Sequence, residues 1–190
     1  MRTLISTAFI SLDGVVEDPG GQTDYRNGGW TFKSVEDLPE AYEIKGSEEQ
    51  ESTAMLMGRK SYELFSPVWP GMEDFAHYKG LPKYVVSSTL TDDALVSDWG
   101  PTTILRSLDE VRALKESQGG PIIIHGSVTL NHALADADLI DRYNLLVFPL
   151  LLGAGQKLFS DTDKDTQKLK LVDSEAFSNG IQKNIFDVIH

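Results

Sequence analysis

The stretch M-L-M-G-R-K-S-Y-E-L-F, residues 55–65, decides how the chain is expected to fold. Its apolar start ends at Met57, Gly58 follows, and an apolar pattern resumes at Tyr62 after two cations and a hydroxyl. This order predicts a buried strand, a glycine turn and the first turn of a helix. Because the first N–H groups of a helix lack internal partners and lie at the positive end of its dipole, the turn suits a phosphate. The competing interpretation is a plain turn with a solvated basic helix start.

The composition favours one globular domain over residues 1–190, with 41% hydrophobic residues available for a core. The formal net charge of −12 argues against nonspecific binding to nucleic acid or anionic membranes. The chain has no cysteine, which excludes disulfides and zinc–thiolate sites, and its histidines show no metal-binding spacing. No apolar run reaches the ~20 residues that span a bilayer, and no signal-peptide cleavage site follows the first strand. We therefore expect a cytoplasmic protein without a metal.

Strand and helix patterns alternate outward from this stretch along most of the chain. Strands are expected at residues 3–10, 54–57, 83–86, 102–105, 122–124, 139–148, 169–172 and 181–189. Helices are expected at residues 34–52, 59–65, 108–115 and 128–135, a long loop at 17–29, an apolar loop at 150–157 and a polar turn at 160–165. Pro39 allows the first of these helices to begin later. The order predicts an α/β three-layer sandwich whose central sheet of about eight strands is mainly parallel with an antiparallel edge.

Two other stretches repeat the strand-then-polar-turn arrangement of Gly58, namely residues 87–89 (S-S-T) and 126–129 (G-S-V-T). In open parallel sheets, ligands bind outside the carboxyl ends of the strands. The three turns together predict a dinucleotide site, with Ser87 and Ser88 positioned for a further phosphate such as the ribose 2′-phosphate of NADP. The G-x-G-x-x-G fingerprint is absent, so an ordinary Rossmann site is not expected.

Five motifs follow one another in the chain: S-L-D-G-V-V (11–16), M-G-R-K-S-Y-E (57–63), V-V-S-S-T-L (85–90), I-I-I-H-G-S-V-T-L (122–130) and F-P-L-L-L-G-A-G-Q-K-L-F (148–159). Together they resemble the dihydrofolate reductase superfamily. The closer similarity is to its bacterial branch that includes the C-terminal reductase domain of the bifunctional riboflavin-biosynthesis deaminase–reductase. The resemblance covers nearly the whole chain and implies a dihydrofolate reductase-like fold with an NADPH site across the sheet.

The resemblance also implies roles for individual residues in binding NADPH. Its phosphates would be held by Gly58, Arg59, Lys60 and Ser61, and its 2′-phosphate would face Ser87, Ser88 and Thr89. The pyrophosphate would be cradled by Gly126, Ser127, Val128, Thr129 and Leu130, and the nicotinamide would be bordered by Ala8, Val15 and Val16. Asp13 is the candidate catalytic or substrate-binding residue, with an ordinary turn aspartate as the competing interpretation.

Aromatic side chains are the candidates for contact with a flat heteroaromatic substrate. Trp30 and Trp69 are assigned to it, with Tyr78 as a further candidate, and the competing interpretation for each is loop anchoring in the core. His125 precedes the third turn; it is expected to be structural, with a contact to the site as the competing interpretation. Dihydrofolate reductases carry an acidic residue near the start of their first helix. Six acids occupy that region here, and each is expected to face solvent: Glu36, Asp37, Glu40, Glu43, Glu48 and Glu49.

The sequence thus predicts an NADPH-dependent reductase that transfers hydride to a small heterocyclic or ribosyl substrate, similar to 5-amino-6-(5-phosphoribosylamino)uracil reductase. The zinc deaminase signature of the bifunctional enzyme is absent. A dihydrofolate reductase and a nucleotide-binding module without turnover are the alternatives. Apolar strands at residues 145–152 and 181–189 need cover, which favours a homodimer.

Overall fold

The computed structural model describes residues 1–162 and 166–190, arranged around one eight-stranded sheet. The strands are β1 (Leu4–Ser11), β2 (Ala54–Gly58), β3 (Lys83–Val86), β4 (Thr102–Leu105), β5 (Ile122–His125), β6 (Arg142–Phe148), β7 (Lys168–Ala176) and β8 (Gln182–Ile189). The helices are α1 (Trp30–Lys33), α2 (Glu43–Glu51), α3 (Arg59–Phe65), α4 (Ala76–Gly80), α5 (Leu108–Glu116) and α6 (Val128–Asp136). Short 3₁₀ turns lie at Pro39–Tyr42, Trp69–Gly71, Glu73–Phe75 and Asp92–Ala94.

The strand order across the sheet is β4-β3-β2-β5-β1-β6-β8-β7. The first six strands are parallel, and β8 and β7 complete the sheet in antiparallel pairing. This confirms the predicted α/β class with a mainly parallel sheet and an antiparallel edge. Because the parallel strands all end at the same edge, the turns after β1 to β5 converge there.

The two faces of the sheet bury different clusters because successive strand side chains point to opposite faces. One face packs Leu56 and Ile124 against Leu134 of α6 and Val111 of α5. The other face carries two apolar clusters. The first contains Met55, Met57, Trp69, Tyr78, Trp99 and Ile123, and the second contains Trp30, Ala41, Leu146, Phe148 and Ile181.

Several element boundaries differ from the sequence expectations. The helix predicted over residues 34–52 begins later, because Ser34 ends α1 and Pro39 opens a 3₁₀ turn ahead of α2. Proline fits a first helical turn, where its missing N–H costs nothing. Pairing with β8 extends β7 through the polar residues that end at Ala176. The polar turn predicted at residues 160–165 lies partly outside the described residues.

Neither a membrane span nor a metal cluster is found where the structure is described. Over residues 1–162 and 166–190, no helix combines the length and the apolar character that a bilayer crossing requires. The same ranges contain no group of three or more His, Asp or Glu side chains arranged to hold a metal ion.

Candidate functional site

The carboxyl ends of four neighbouring strands carry a row of polar turns. Across the sheet from β4 to β5, these turns begin at Arg106, Ser87, Arg59 and Gly126. Neighbouring strands lie about 4.8 Å apart, so three steps span about 14 Å. The fold therefore brings the three predicted phosphate turns to one edge, in a row that suits an extended dinucleotide.

The turns after β2 and β5 are joined by the hydroxyl of Ser127. Its Oγ accepts the N–H of Gly58 at 2.9 Å and donates to Oγ of Ser61 at 2.8 Å. Ser127 has a left-handed backbone (φ 61°), as does Gly126 before it (φ 59°), and this turns the chain from β5 into α6. Such a conformation is costly for a residue other than glycine, and the two hydrogen bonds of Ser127 offset that cost.

Gly58 does not form the tight glycine turn that the sequence suggested. Its backbone is extended (φ −83°, ψ 165°), so β2 runs directly into α3. A Cβ at this position would lie 3.8 Å from Oγ of Ser127, which is an ordinary contact. Neither backbone conformation nor protein packing requires glycine here, and the missing side chain leaves the strand end open.

The first turn of α3 presents the two predicted cations to solvent. Nη1 of Arg59 lies 2.9 and 2.8 Å from the carboxylate oxygens of Glu63, one helical turn further on, and Lys60 is exposed. Exposed ion pairs of this spacing contribute only about 0.3–0.5 kcal/mol, so the guanidinium can exchange Glu63 for a phosphate at little cost. Ser61 is buried and is held by Ser127.

The turn after β3 differs from the expectation for Ser87. This side chain is buried, and its Oγ accepts the N–H groups of Thr89 at 3.2 Å and Leu90 at 2.9 Å. The hydroxyl therefore closes the turn, which argues against the predicted phosphate contact of Ser87. Ser88 and Thr89 remain exposed on the same turn.

Arg106 is a functional candidate that the sequence did not indicate, since it is a lone arginine after a short strand. Its Nη1 donates to the carbonyl oxygens of Ser87 at 2.9 Å and Leu90 at 2.7 Å. These bonds hold the guanidinium on the turn that carries the exposed Ser88. Its Nε and Nη2 have no hydrogen-bond partner within residues 1–162 and 166–190. The guanidinium therefore has donors available for an anion at this turn.

The side chains predicted for the pyrophosphate differ in their exposure at the start of α6. Thr129 is exposed and Val128 is half-buried, whereas Leu130 is buried in the core. Leu130 can therefore face a ligand with its backbone but not with its side chain. The N–H groups of this first helical turn have no acceptor of their own within the helix.

The residues predicted to border the nicotinamide also divide into two kinds. Ala8 and Val16 are half-buried, but Val15 is fully buried and pairs with Lys157 in an isolated antiparallel bridge. A side chain without exposed surface cannot contact a ring in the cleft. Val15 instead fastens its turn to the loop after β6.

Asp13 anchors that same loop. Its Oδ1 accepts Oγ–H of Ser11 at 2.6 Å and the N–H of Leu152 at 3.1 Å, and its Oδ2 accepts the N–H of Gly153 at 2.7 Å. The hydrogen bond from Ser11, followed by those from the two backbone groups, lowers the pKa of Asp13 to about 2. A carboxylate so engaged and so acidic is no proton donor near pH 7, which argues against the predicted catalytic role.

A buried carboxylate lies on α2 instead, against β1 and β6. Glu48 on α2 is 6% exposed, and both its oxygens lie 2.8 Å from Oγ1 of Thr7 on β1. Nδ2 of Asn144 on β6 donates to Oε1 at 2.8 Å, and Nζ of Lys45 lies 3.2 Å from Oε2 and also contacts Thr7. The expectation that all six acids of this region face solvent is thus wrong for Glu48.

Sheet register explains why these polar groups meet. Thr7 pairs with His125 on β5 and with Asn144 on β6, so the three side chains stand side by side on one face. Nδ2 of Asn144 is fixed by Glu48, and Oδ1 is then buried without a hydrogen-bond partner in the described structure. Such an orphaned acceptor indicates a water or ligand that donates to it.

His125 and Tyr78 form the wall next to this polar group. Nε2 of His125 lies 3.0 Å from Oη of Tyr78. Burial, and after it the ammonium of Lys45, lowers the pKa of His125 to about 3. Burial, reinforced by the charges of Glu48 and Glu49, raises the pKa of Tyr78. Both side chains are therefore neutral at physiological pH.

The two tryptophans assigned to the substrate are engaged within the protein. Trp30 is 2% exposed, packs edge-on against Phe148 and donates its Nε1–H to the carbonyl oxygen of Glu17 at 2.9 Å. The ring of Trp69 is stacked between Phe65 and Phe75, with centroids 4.2 Å away on either side. Both therefore anchor loops, and this placement lends no support to a stacking role for either.

The comparisons with known proteins agree with this architecture. A family model described as the RibD C-terminal domain matches residues 2–183. The chain belongs to the RibD C-terminal domain family. The uncharacterized protein YyaP of Bacillus subtilis (strain 168) is 27% identical over 194 residues, which is 97% of this chain and 94% of YyaP.

Solved structures share the fold of this RibD C-terminal domain protein at low sequence identity. A Shewanella sp. PV-4 protein described as a riboflavin biosynthesis protein is 21% identical, with a TM-score of 0.77 over 99% of both chains. Enterococcus faecalis dihydrofolate reductase, in complex with NADP(H) and RAB-propyl, is 15% identical, with a TM-score of 0.58 over 99% of this chain and 97% of its own. The predicted dihydrofolate reductase-like fold is confirmed.

Proposed function

We propose that this RibD C-terminal domain protein is an NADPH-dependent reductase that acts on a small heterocyclic or ribosyl substrate. The observation that carries the proposal is continuity along one sheet edge. A row of turns runs from Arg106 to Ser127, and the polar group around Glu48 lies at its end, where β5 meets β1. A site for a long phosphorylated cofactor thus adjoins a site that can hold a proton.

The residues of the row fit the parts of NADPH. The guanidinium of Arg106 and the exposed Ser88 and Thr89 suit the 2′-phosphate, since charge-assisted hydrogen bonds contribute about 1.5–3 kcal/mol each. The N–H groups at the start of α6 suit the pyrophosphate, as they do in helix-start anion sites. The N–H of Gly58 is already bound to Ser127, so Gly58 would contribute through its missing side chain, which lets a phosphate approach the end of β2.

The remaining residues would bind and orient the substrate. Bound NADPH supplies the hydride. Glu48 and Thr7 fix the reacting ring over β1, and the ammonium of Lys45, in contact with both, can hand a proton to the nitrogen or oxygen that gains charge. Before that transfer Glu48 balances the charge of the Lys45 ammonium, and afterwards water returns a proton to the partly exposed amine.

Two heterocycles are the first substrates to test. Membership of the RibD C-terminal domain family makes 5-amino-6-(5-phosphoribosylamino)uracil the first candidate substrate. The buried carboxylate of Glu48, on a helix packed over β1, keeps dihydrofolate as a second candidate, because dihydrofolate reductases hold the pterin with an acid on their first helix. Because such a reductase needs a supply of NADPH, we propose that it acts in the cytoplasm.

The test is NADPH oxidation, followed at 340 nm, with each of the two substrates. Steady oxidation with either one supports the reductase proposal and selects the substrate. Cofactor binding without oxidation would instead favour a nucleotide-binding module without turnover. The same assay with NADH measures whether the 2′-phosphate is recognised.

We also propose that two copies of the chain pair through the antiparallel edge of the sheet. All nine residues of β7 are exposed, and they include Leu169, Leu171 and Val172. An edge strand that exposes leucine and valine side chains between its charged residues favours association. Light scattering should give twice the 21.0 kDa chain mass, and Leu171→Lys should shift it towards the single chain. A single-chain mass for the unaltered protein at micromolar concentration contradicts the dimer.

A further inference from the structure

His125 and Tyr78 form a hydrogen-bonded pair whose role goes beyond holding two elements together. His125 ends β5 beside Thr7, and Tyr78 lies on α4 across the same face of the sheet. The tyrosine is 2% exposed, while the histidine is only half-buried. One member of the pair is thus enclosed, and the other reaches the edge where Glu48 lies.

The enclosed hydroxyl decides which ring nitrogen carries the proton. Oη of Tyr78 makes no hydrogen bond other than that to Nε2 of His125 within residues 1–162 and 166–190. A buried hydroxyl needs an acceptor for its proton, so Tyr78 donates and Nε2 accepts. A neutral imidazole has one donor nitrogen and one acceptor nitrogen, and its proton therefore lies on Nδ1.

Nδ1 is a donor without a protein partner. It makes no hydrogen bond to any residue that the structure describes. The His125 residue is half-buried and pairs with Thr7 across β5 and β1. Nδ1–H is therefore free to donate to a ligand beside the polar group around Thr7.

We propose that His125 is a specificity-determining residue that donates its Nδ1–H to a ring carbonyl or ring nitrogen of the substrate, and that Tyr78 is the positioning residue that fixes this tautomer. The inference rests on the proposed reductase function and deepens it. The orphaned Oδ1 of Asn144 supplies the complementary acceptor. His125 and Asn144 lie on strands that flank β1, about 10 Å apart. The site thus suits a flat substrate with an acceptor at one end and an N–H donor at the other.

Two variants of one position separate the two ring nitrogens. An asparagine side chain can place its amide nitrogen near the position of Nδ1, whereas a glutamine reaches towards Nε2. We expect His125→Gln to lower kcat/KM about tenfold or more, as the loss of one hydrogen bond to a substrate does, and His125→Asn to retain more activity. Tyr78→Phe should have a kcat/KM between those of the two His125 variants, because its KM is raised. NADPH affinity should stay unchanged in all three. Equal kcat/KM for the Asn and Gln variants contradicts the inference.

Nitrogen-15 NMR of the histidine ring shows directly which ring nitrogen carries the proton, independently of the kinetics. In the unaltered protein loaded with NADP⁺, Nδ1 should be protonated and Nε2 should not be, and Tyr78→Phe should remove this preference. A proton on Nε2 overturns the inference whatever the kinetics show. Failure of the reductase proposal is visible separately, as absent NADPH oxidation. In that case dihydrofolate is added to the NADP⁺-loaded protein, and an unchanged Nδ1 signal overturns the inference.

Discussion

Glu48 and Thr7 face each other between α2 and β1, and the threonine hydroxyl lies 2.8 Å from both oxygens of the carboxylate. A buried carboxylate is costly unless donors surround it, and here Thr7, Asn144 and Lys45 all contribute. Strands β1 and β6 and helix α2 thus converge on one acid. Because it adjoins the row of phosphate-type turns, this acid is the chemical centre of the proposed site.

Glu48→Gln should lower kcat/KM with the proposed substrate by about 10²–10⁴-fold, because the carboxylate that orients the substrate and balances Lys45 is lost. The amide has nearly the same volume, and near-ultraviolet circular dichroism should confirm an intact fold. Glu51→Gln, an exposed position on the same helix, is the matched control and should leave activity unchanged. Similar rates for both variants would contradict the role of Glu48.

Arg106→Gln should raise KM for NADPH about tenfold and leave KM for NADH unchanged, since only NADPH carries the phosphate that the guanidinium is proposed to bind. Steady-state kinetics with both cofactors provides the measurement. Arg112→Gln, on the exposed side of α5, removes the same charge elsewhere and serves as the control. An equal change in KM for the two cofactors would show that Arg106 acts only through the turn it supports.

Ser127 offers a test of the link between β2 and β5. Ser127→Ala removes the hydrogen bonds to Gly58 and Ser61 and should lower the free energy of unfolding by about 1–2 kcal/mol. Ser127→Gly removes the same bonds but relieves the left-handed backbone, so it should be more stable than the alanine variant. Both should bind NADPH more weakly. Unchanged cofactor affinity in both variants would show that the link between β2 and β5 plays no part in cofactor binding.

The sheet type and the order of its elements along the chain were predictable because local signals and tertiary packing agree. Residues 59–65, 83–86 and 102–105 were assigned as the structure has them, since glycine, proline and serine mark the ends of clear apolar runs. The start of α2 was not, because Pro39 and the acids around it are compatible with several helix starts.

The polar centre of the site was only partly readable from the sequence. Thr7 and Asn144 interrupt buried strands, and a buried polar side chain implies a partner. Glu48 gave no such signal, because α2 carries several acids and only packing against β1 selects one of them. Arg106 depends in the same way on contacts made across the sheet.

Lys83 predicts an unusual dependence of stability on pH. It is fully buried beneath the Trp99 ring, donates to the carbonyl oxygens of Tyr78 and Lys79, and burial lowers its pKa from 10.5 to about 8. Between these values the unfolded chain binds a proton that the folded protein does not. Stability should therefore rise with pH above 8, by at most about 1.4 kcal/mol per pH unit.

Urea denaturation at about pH 7.5 and about pH 9.5 measures this rise. The window ends there because the raised pKa values of buried Tyr78 and Tyr143 act in the opposite direction once tyrosine ionises in the unfolded chain. Lys83→Met keeps an apolar stem of similar length and should abolish the rise. A parallel change in the unaltered protein and the variant would show that other groups are responsible.

Calorimetric titration with NADPH tests the central claim most directly, because everything proposed for the site depends on a cofactor along the row from Arg106 to Ser127. The unaltered protein should bind one NADPH per chain with a Kd on the order of 1–100 µM, tighter than NADH, and Ser127→Ala should weaken the binding. No heat of binding at about millimolar NADPH, or equal affinity for NADPH and NADH, would contradict the account.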